Sequence, residues 1–167
     1  MPSDPTTTTD KARMETLLTT ETIGHLALAV GGEAYVVPLN FAYVEGRILF
    51  HCALEGKKLD MIRQNPQVCF AVSREEGQAV EHKADNCDAP FESVLCFGEA
   101  RVVEDMPARI RVLNEFQARF CTEANPRKPI GEDRAVKCGA VEITVTRMTG
   151  RRFAGKDKQF WEWEACP

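Results

Sequence analysis

Ile23-Gly24-His25-Leu26-Ala27-Leu28-Ala29-Val30-Gly31-Gly32-Glu33-Ala34-Tyr35-Val36-Val37-Pro38-Leu39-Asn40-Phe41-Ala42-Tyr43-Val44 is the stretch on which the fold turns. An apolar run, Ile23–Val30, stops at Gly31-Gly32, a dipeptide suited to a hairpin turn. The next run, Ala34–Val44, alternates with period two. Tyr35, Val37, Leu39, Phe41 and Tyr43 face one way, while Val36, Pro38, Asn40 and Ala42 face the other. Glu45-Gly46 turns the chain again into a third strand, Arg47–Cys52. These three strands leave no room for crossover helices, so their pairing must be antiparallel. Pro38 cannot donate to a ladder, which predicts that its strand is an edge, bulged or split there.

The same reading extends in both directions. Asp10 caps a helix over Lys11–Thr19 with Met14, Leu17 and Leu18 on its apolar side. A helix over Lys57–Gln64 stops at Asn65-Pro66, and Pro107 starts another that runs to about Phe120. Gln67–Ser73, Glu92–Val103 and Val136–Thr146 complete six strands, with polar loops at Arg74–Pro90 and Thr122–Arg134. The expected fold is mainly β, a six-stranded antiparallel barrel with a few helices, because closing the sheet removes exposed edges. Residues 1–10 read as a flexible tail and 11–150 as the folded domain. Residues 151–167 read as a basic-aromatic tail that packs on the barrel or on a partner subunit.

With 167 residues, 44% of them hydrophobic, the chain has the size and composition of one globular domain. A net charge of −4 and the lack of a basic stripe argue against duplex nucleic acid as a partner. No apolar run reaches the roughly 18 residues of a membrane span. The start, Met1 to Thr9, has neither the basic nor the apolar segment of a signal peptide. Seven scattered cysteines, an odd number without a CxxC pair, suit a reducing cytoplasm.

Phe50-His51-Cys52-Ala53-Leu54-Glu55-Gly56-Lys57-Lys58 is the stretch richest in chemistry. Lysines at a helix start oppose the helix dipole, unless an anion such as a phosphate sits there on the free N–H groups. The plain alternative is a pair of solvated lysines, with His51 a rim residue bonded to the backbone. His82, Asp85, Cys87 and Asp88 offer only a weak metal set, so no metal is expected. No nucleophile elbow or phosphate-loop fingerprint appears, and catalytic residues stay unassigned. Trp161 and Trp163 share one face if extended, to stack on a planar ligand, bury against a partner or clamp the barrel.

The blocks Gly24–Ala27, Tyr35–Phe41, Phe50–Lys58, Asn65–Phe70 and Ser93–Gly98 together resemble the FMN-binding split-barrel family related to pyridoxamine 5′-phosphate oxidase. Within it, the chain looks most like the nitroimidazole-resistance branch. The resemblance implies a homodimer with a flavin in each of two clefts between subunits. By similarity, Val36, Val37, Pro38, Leu39 and Asn40 line the isoalloxazine, His51, Lys57 and Lys58 lie toward the ribityl-phosphate end, and Ser93 and Val94 contribute from the opposing wall. The chain lacks the arginine-rich ending of true pyridoxamine 5′-phosphate oxidases, which argues against vitamin B6 oxidation. The implied activity is that of an FMN-dependent oxidoreductase, a nicotinamide-dependent flavin reductase or nitroreductase passing electrons to a small acceptor. The alternatives are a non-catalytic FMN or heme binder, a deazaflavin protein and an empty interaction module.

Overall fold

The computed structural model describes residues 7–8, 10–75, 90–154 and 157–165. The candidate metal set around His82 and Cys87 lies outside the described residues. Helix α1, Lys11–Thr20, starts where Asp10 accepts a hydrogen bond from the Arg13 backbone N–H at 3.0 Å, and it buries Met14, Leu17 and Leu18. A two-residue strand β1, Thr7–Thr8, precedes it. Strand β2, Ile23–Val30, and strand β3, Glu33–Asn40, form the expected hairpin. Gly31 and Gly32 both have positive φ, +57° and +85°, the conformation of the turn whose twist matches paired strands.

Past β3 the chain breaks at Phe41, whose N–H leaves the ladder for the Thr22 carbonyl, and resumes as β4, Ala42–Val44. β4 pairs with β5, Arg47–Cys52. The sequence anticipated an edge, a bulge or a split at Pro38. Among the described residues β3 is an edge strand, paired only with β2, and the break comes three residues later. Fully buried Phe41 explains the shift, since its side chain turns into the core against Phe70.

Helix α2, Lys57–Gln64, leads to β6, Gln67–Glu75, then β7, Phe91–Val102. Helix α3, Met106–Ala118, is capped by Asp105 and carries Pro107 in its first turn. A short helix α4, Glu132–Ala135, lies partly in the stretch read as loop. The last expected strand began at Val136 and ended at Thr146. As β8 it begins at Gly139 and continues to Ala154, and β9, Asp157–Glu164, folds back along it.

Nine strands among the described residues form one curled sheet with the path β1–β9–β8–β7–β6–β2–β3. All ladders are antiparallel except the two-residue contact of β1 with β9. β8 is long enough to serve two neighbours on one side, β5 along Gly139–Thr144 and β9 along Arg147–Ala154. The register slips between Phe97 and Gly98, and a Cβ on Gly98 would meet the Thr144 carbonyl oxygen at 2.0 Å. A glycine there lets β7 and β8 bend together around the barrel corner. The hydrogen-bonded path does not return on itself, so the mainly β barrel is split.

The concave face holds the main core, which includes Leu26, Phe50, Phe70, Cys96, Met148 and Trp161. A second core of Leu49, Val112, Leu113, Phe116 and Ala140 joins α3 to the other face of β5 and β8. Trp161 packs where Gly150 has no side chain, so it closes the core. No described helix is long and apolar enough to cross a membrane.

Candidate functional site

Gly56 sets the geometry at the start of α2. Its φ of +134° is one that residues with a Cβ rarely adopt, and as the N-cap it starts the helix after the short connection from β5. Lys57 then reaches back across the barrel seam to the start of β3. Its ammonium pairs with the Glu33 carboxylate and lies 5.0 Å from the centre of the Tyr35 ring. The α2 start and the unpaired edge of β3 therefore form one corner of the molecule. Half-buried Lys58 lies near enough for its charge to act on the Cys52 thiol. Burial pushes that thiol up, and Lys58, Arg109 and Arg63 act against the shift.

Alternation divides the β3 candidates. Val36, Pro38 and Asn40 stand exposed on the convex face, while Val37 and Leu39 turn inward and pack against the core. Asn40 is tied down by donating from Nδ2 to the Thr22 carbonyl at 3.0 Å. On β7, Ser93 is half-buried on the convex side and Val94 is buried inside. Inward residues can reach a ligand at the strand edge only through their backbone.

His51 goes elsewhere. Its ring meets Phe116 of α3 edge-on at 5.0 Å, and Nδ1 lies 3.8 Å from Cys138 Sγ. It lines a cavity of about 280 Å³ beside α3 that neither Lys57 nor Lys58 touches. The structure thus brings Lys57 and the β3 edge together and sends the His51 ring to a separate pocket.

The convex face also carries a shallow groove of about 650 Å³ across β2, β3, β6, β7 and β8. Ala27, Ala29, Ala34 and Val36 form its apolar floor, and Cys69, Phe97 and Arg147 form its far side. The Arg147 guanidinium lies 3.8 Å from the centre of the Phe97 ring. Burial pushes the Cys69 thiol up, with Arg147 opposing it. No local pattern marks this groove, because it joins strands whose mutual register is not encoded within any one of them. Period-two alternation did set Val36 on the face opposite to Tyr35 and Val37.

Two carboxylates are held by arginine pairs. Glu92, on the buried side of β7, accepts from Arg13 and Arg74 at 2.7 Å each. Glu142 accepts from Arg47 at 2.9 Å and Arg101 at 3.0 Å. Burial alone would raise the Glu142 carboxyl, but the two arginines hold it below the usual carboxylate range. Arg47 also donates to Glu115 of α3, so this network fastens the helix to the sheet. Among the described residues, no group of three His, Cys, Asp or Glu side chains is placed to hold a metal ion.

The profile of a family described as pyridoxamine 5′-phosphate oxidase matches residues 10–152. No curated protein matches the chain. Several solved structures share the fold. One, a candidate 5-nitroimidazole antibiotic resistance protein from Bacteroides thetaiotaomicron, is 24% identical with a TM-score of 0.72, over 84% of this chain and 82% of that one. A flavocytochrome from Azotobacter vinelandii is 15% identical with a TM-score of 0.76, over 96% and 81%. An FAD and heme binding protein from Mycobacterium smegmatis is 18% identical with a TM-score of 0.74, over 95% and 76%.

Proposed function

Because the chain belongs to the pyridoxamine 5′-phosphate oxidase family, we propose that it is an FMN-binding oxidoreductase working as a homodimer, with each flavin along the edge of β3. The observation that carries this reading is the corner where Lys57 meets Glu33 and Tyr35. There an unpaired strand edge, rich in free backbone groups, adjoins a helix start with two lysines and a positive-φ glycine. That donor set suits a planar ring with a phosphate tail. The Lys57–Glu33 pair is solvent-exposed and therefore weak, so the lysine can turn to a phosphate at little cost.

Bound FMN would supply the hydride and electron chemistry, from a nicotinamide donor to a small acceptor such as a nitroaromatic compound. The chain's own part is binding and orientation. Backbone N–H groups on the free edge of β3 would hydrogen-bond the polar edge of the ring and favour the negative charge that reduction places there. Pro38 offers no N–H, so it would leave one position of that edge to apolar contact. Lys57, Lys58 and the first N–H groups of α2 would hold the phosphate. The alanine and valine floor of the groove offers a second copy an apolar surface that excludes water from the ring.

The experiment is an absorbance spectrum of the purified protein, followed by fluorescence titration with FMN and with riboflavin. Flavin bands and tighter binding of FMN are expected. Lys57→Ala with Lys58→Ala should weaken FMN by about 1.5–3 kcal/mol for each charged hydrogen bond lost, and leave riboflavin nearly unchanged. A colourless protein that titrates with neither compound would sink the proposal. The groove floor carries no acid or base, which suits a flavin carrier as well as an enzyme. Nicotinamide oxidation across a panel of acceptors separates those two.

A further inference from the structure

The cavity beside α3 is independent of the flavin corner and has its own chemistry. We propose that it is a binding site for a small apolar carboxylate, such as an aryl or branched alkyl acid. Leu113, Phe116 and Ile130 make its walls apolar, and His51 lies at its β5 side. Arg127 and Arg134 complete the lining, and neither has an acidic partner among the described residues. Glu115, the nearest acid on α3 to this wall in sequence, is already engaged by Arg47 and Arg111.

The site is held in shape. Gln117 donates from Nε2 to the Lys128 carbonyl at 2.9 Å. Asn114 both donates to the Ile130 carbonyl, at 2.9 Å, and accepts from the Ile130 N–H, at 2.8 Å. Two α3 side chains thereby fix the loop that carries Arg127 and Ile130. Cys138 engages His51 through Nδ1, which leaves Nε2 without a described partner.

Two guanidiniums at an apolar cavity match a ligand with one charged end and one greasy end, since arginine pairs with carboxylate in a planar fork. A volume of about 280 Å³ suits a compound of roughly ten heavy atoms and is too small for a dinucleotide. An inorganic anion would leave the Phe116, Leu113 and Ile130 walls unused.

The test titrates the full chain with benzoate, benzamide and inorganic phosphate, and follows backbone amide NMR shifts. Benzoate should shift His51, Phe116 and Ile130 and leave Val36 still, and it should bind at least tenfold tighter than benzamide or phosphate. Arg127→Gln and Arg134→Gln should each weaken benzoate about tenfold. Both side chains are exposed, so the single variants remain readable if the double variant does not fold. Equal binding of benzamide or phosphate, shifts centred elsewhere, or unchanged affinity in both variants would overturn the proposal. Flavin binding does not enter the measurement, so failure here leaves the FMN reading untouched.

Discussion

Two rows of side chains cross the same sheet one residue apart and meet opposite conditions. The inner row runs Val37, Leu26, Phe70, Cys96, Met148, Trp163 through successive ladder partners. Leu26, Phe70, Cys96 and Met148 in it are fully buried. The outer row runs Val36, Ala27, Cys69, Phe97, Arg147, Glu164 through the same partners. It is also largely apolar, yet Val36 is 57% exposed, as is Ile23, and Leu95 on the same face is 38% exposed. An apolar surface left exposed among the described residues has the character of an interaction face. The inner row holds the fold together, and the outer row is free for function. Where α3 covers the convex face, around β5 and the first half of β8, that face carries Glu142 and its arginines instead of bare alanines.

The largest effect that would test this contrast is on the inner row. Phe70→Ala should cost about 3–5 kcal/mol of unfolding free energy, as for a large side chain removed from a closed core. Phe97→Ala, half-buried under Arg147, should cost nearer 1 kcal/mol. Urea denaturation of both variants measures the difference, and equal losses would break the distinction between the faces.

A middle-sized effect belongs to the covered part of the convex face. Glu142→Gln should lose about 1.5–3 kcal/mol at neutral pH, the worth of its charged hydrogen bonds. The Glu142 carboxyl is depressed in the folded state, so its contribution is present above the unfolded glutamate value of about 4.3. That contribution is lost as pH falls through the lower folded value. Wild type and variant should therefore differ in urea midpoint at pH 7 and converge in acid. A gap that stays constant with pH would mean the network is structural packing without linkage.

The smallest effect on stability, and the sharpest on function, is expected at Val36→Glu. A charge on an exposed position should change unfolding free energy by under about 0.5 kcal/mol. Placed in the proposed subunit contact, it should shift the protein toward monomer in concentration-dependent light scattering. A variant with unchanged mass would remove the outer face from the proposed dimer.

Local signals were legible because local physics decides them. The Gly31-Gly32 turn, the Asp10 cap, the helix start at Pro107 and the two-residue alternation of β3 depend on a few neighbouring residues each. The candidate site was half legible for the same reason. Pro38 on an edge and lysines at a helix start are short-range patterns, and the Lys57 contact with Glu33 and Tyr35 brings them into one corner. The placement of His51 was not legible, because the ring direction depends on Phe116 and Cys138, far along the chain. Nor was the meeting of Arg127 and Arg134 at one cavity, beside the loop that Asn114 and Gln117 anchor.

The sequence by itself determined that the chain is a β-rich domain with an edge, a bulge or a split at Pro38, since alternation and turn chemistry act within a few residues. Only the tertiary structure decided that β8 serves both β5 and β9, that the aromatic tail closes the core with Trp161, and which face stays bare. Register between distant strands is fixed by packing across the sheet, and packing is a property of the whole fold.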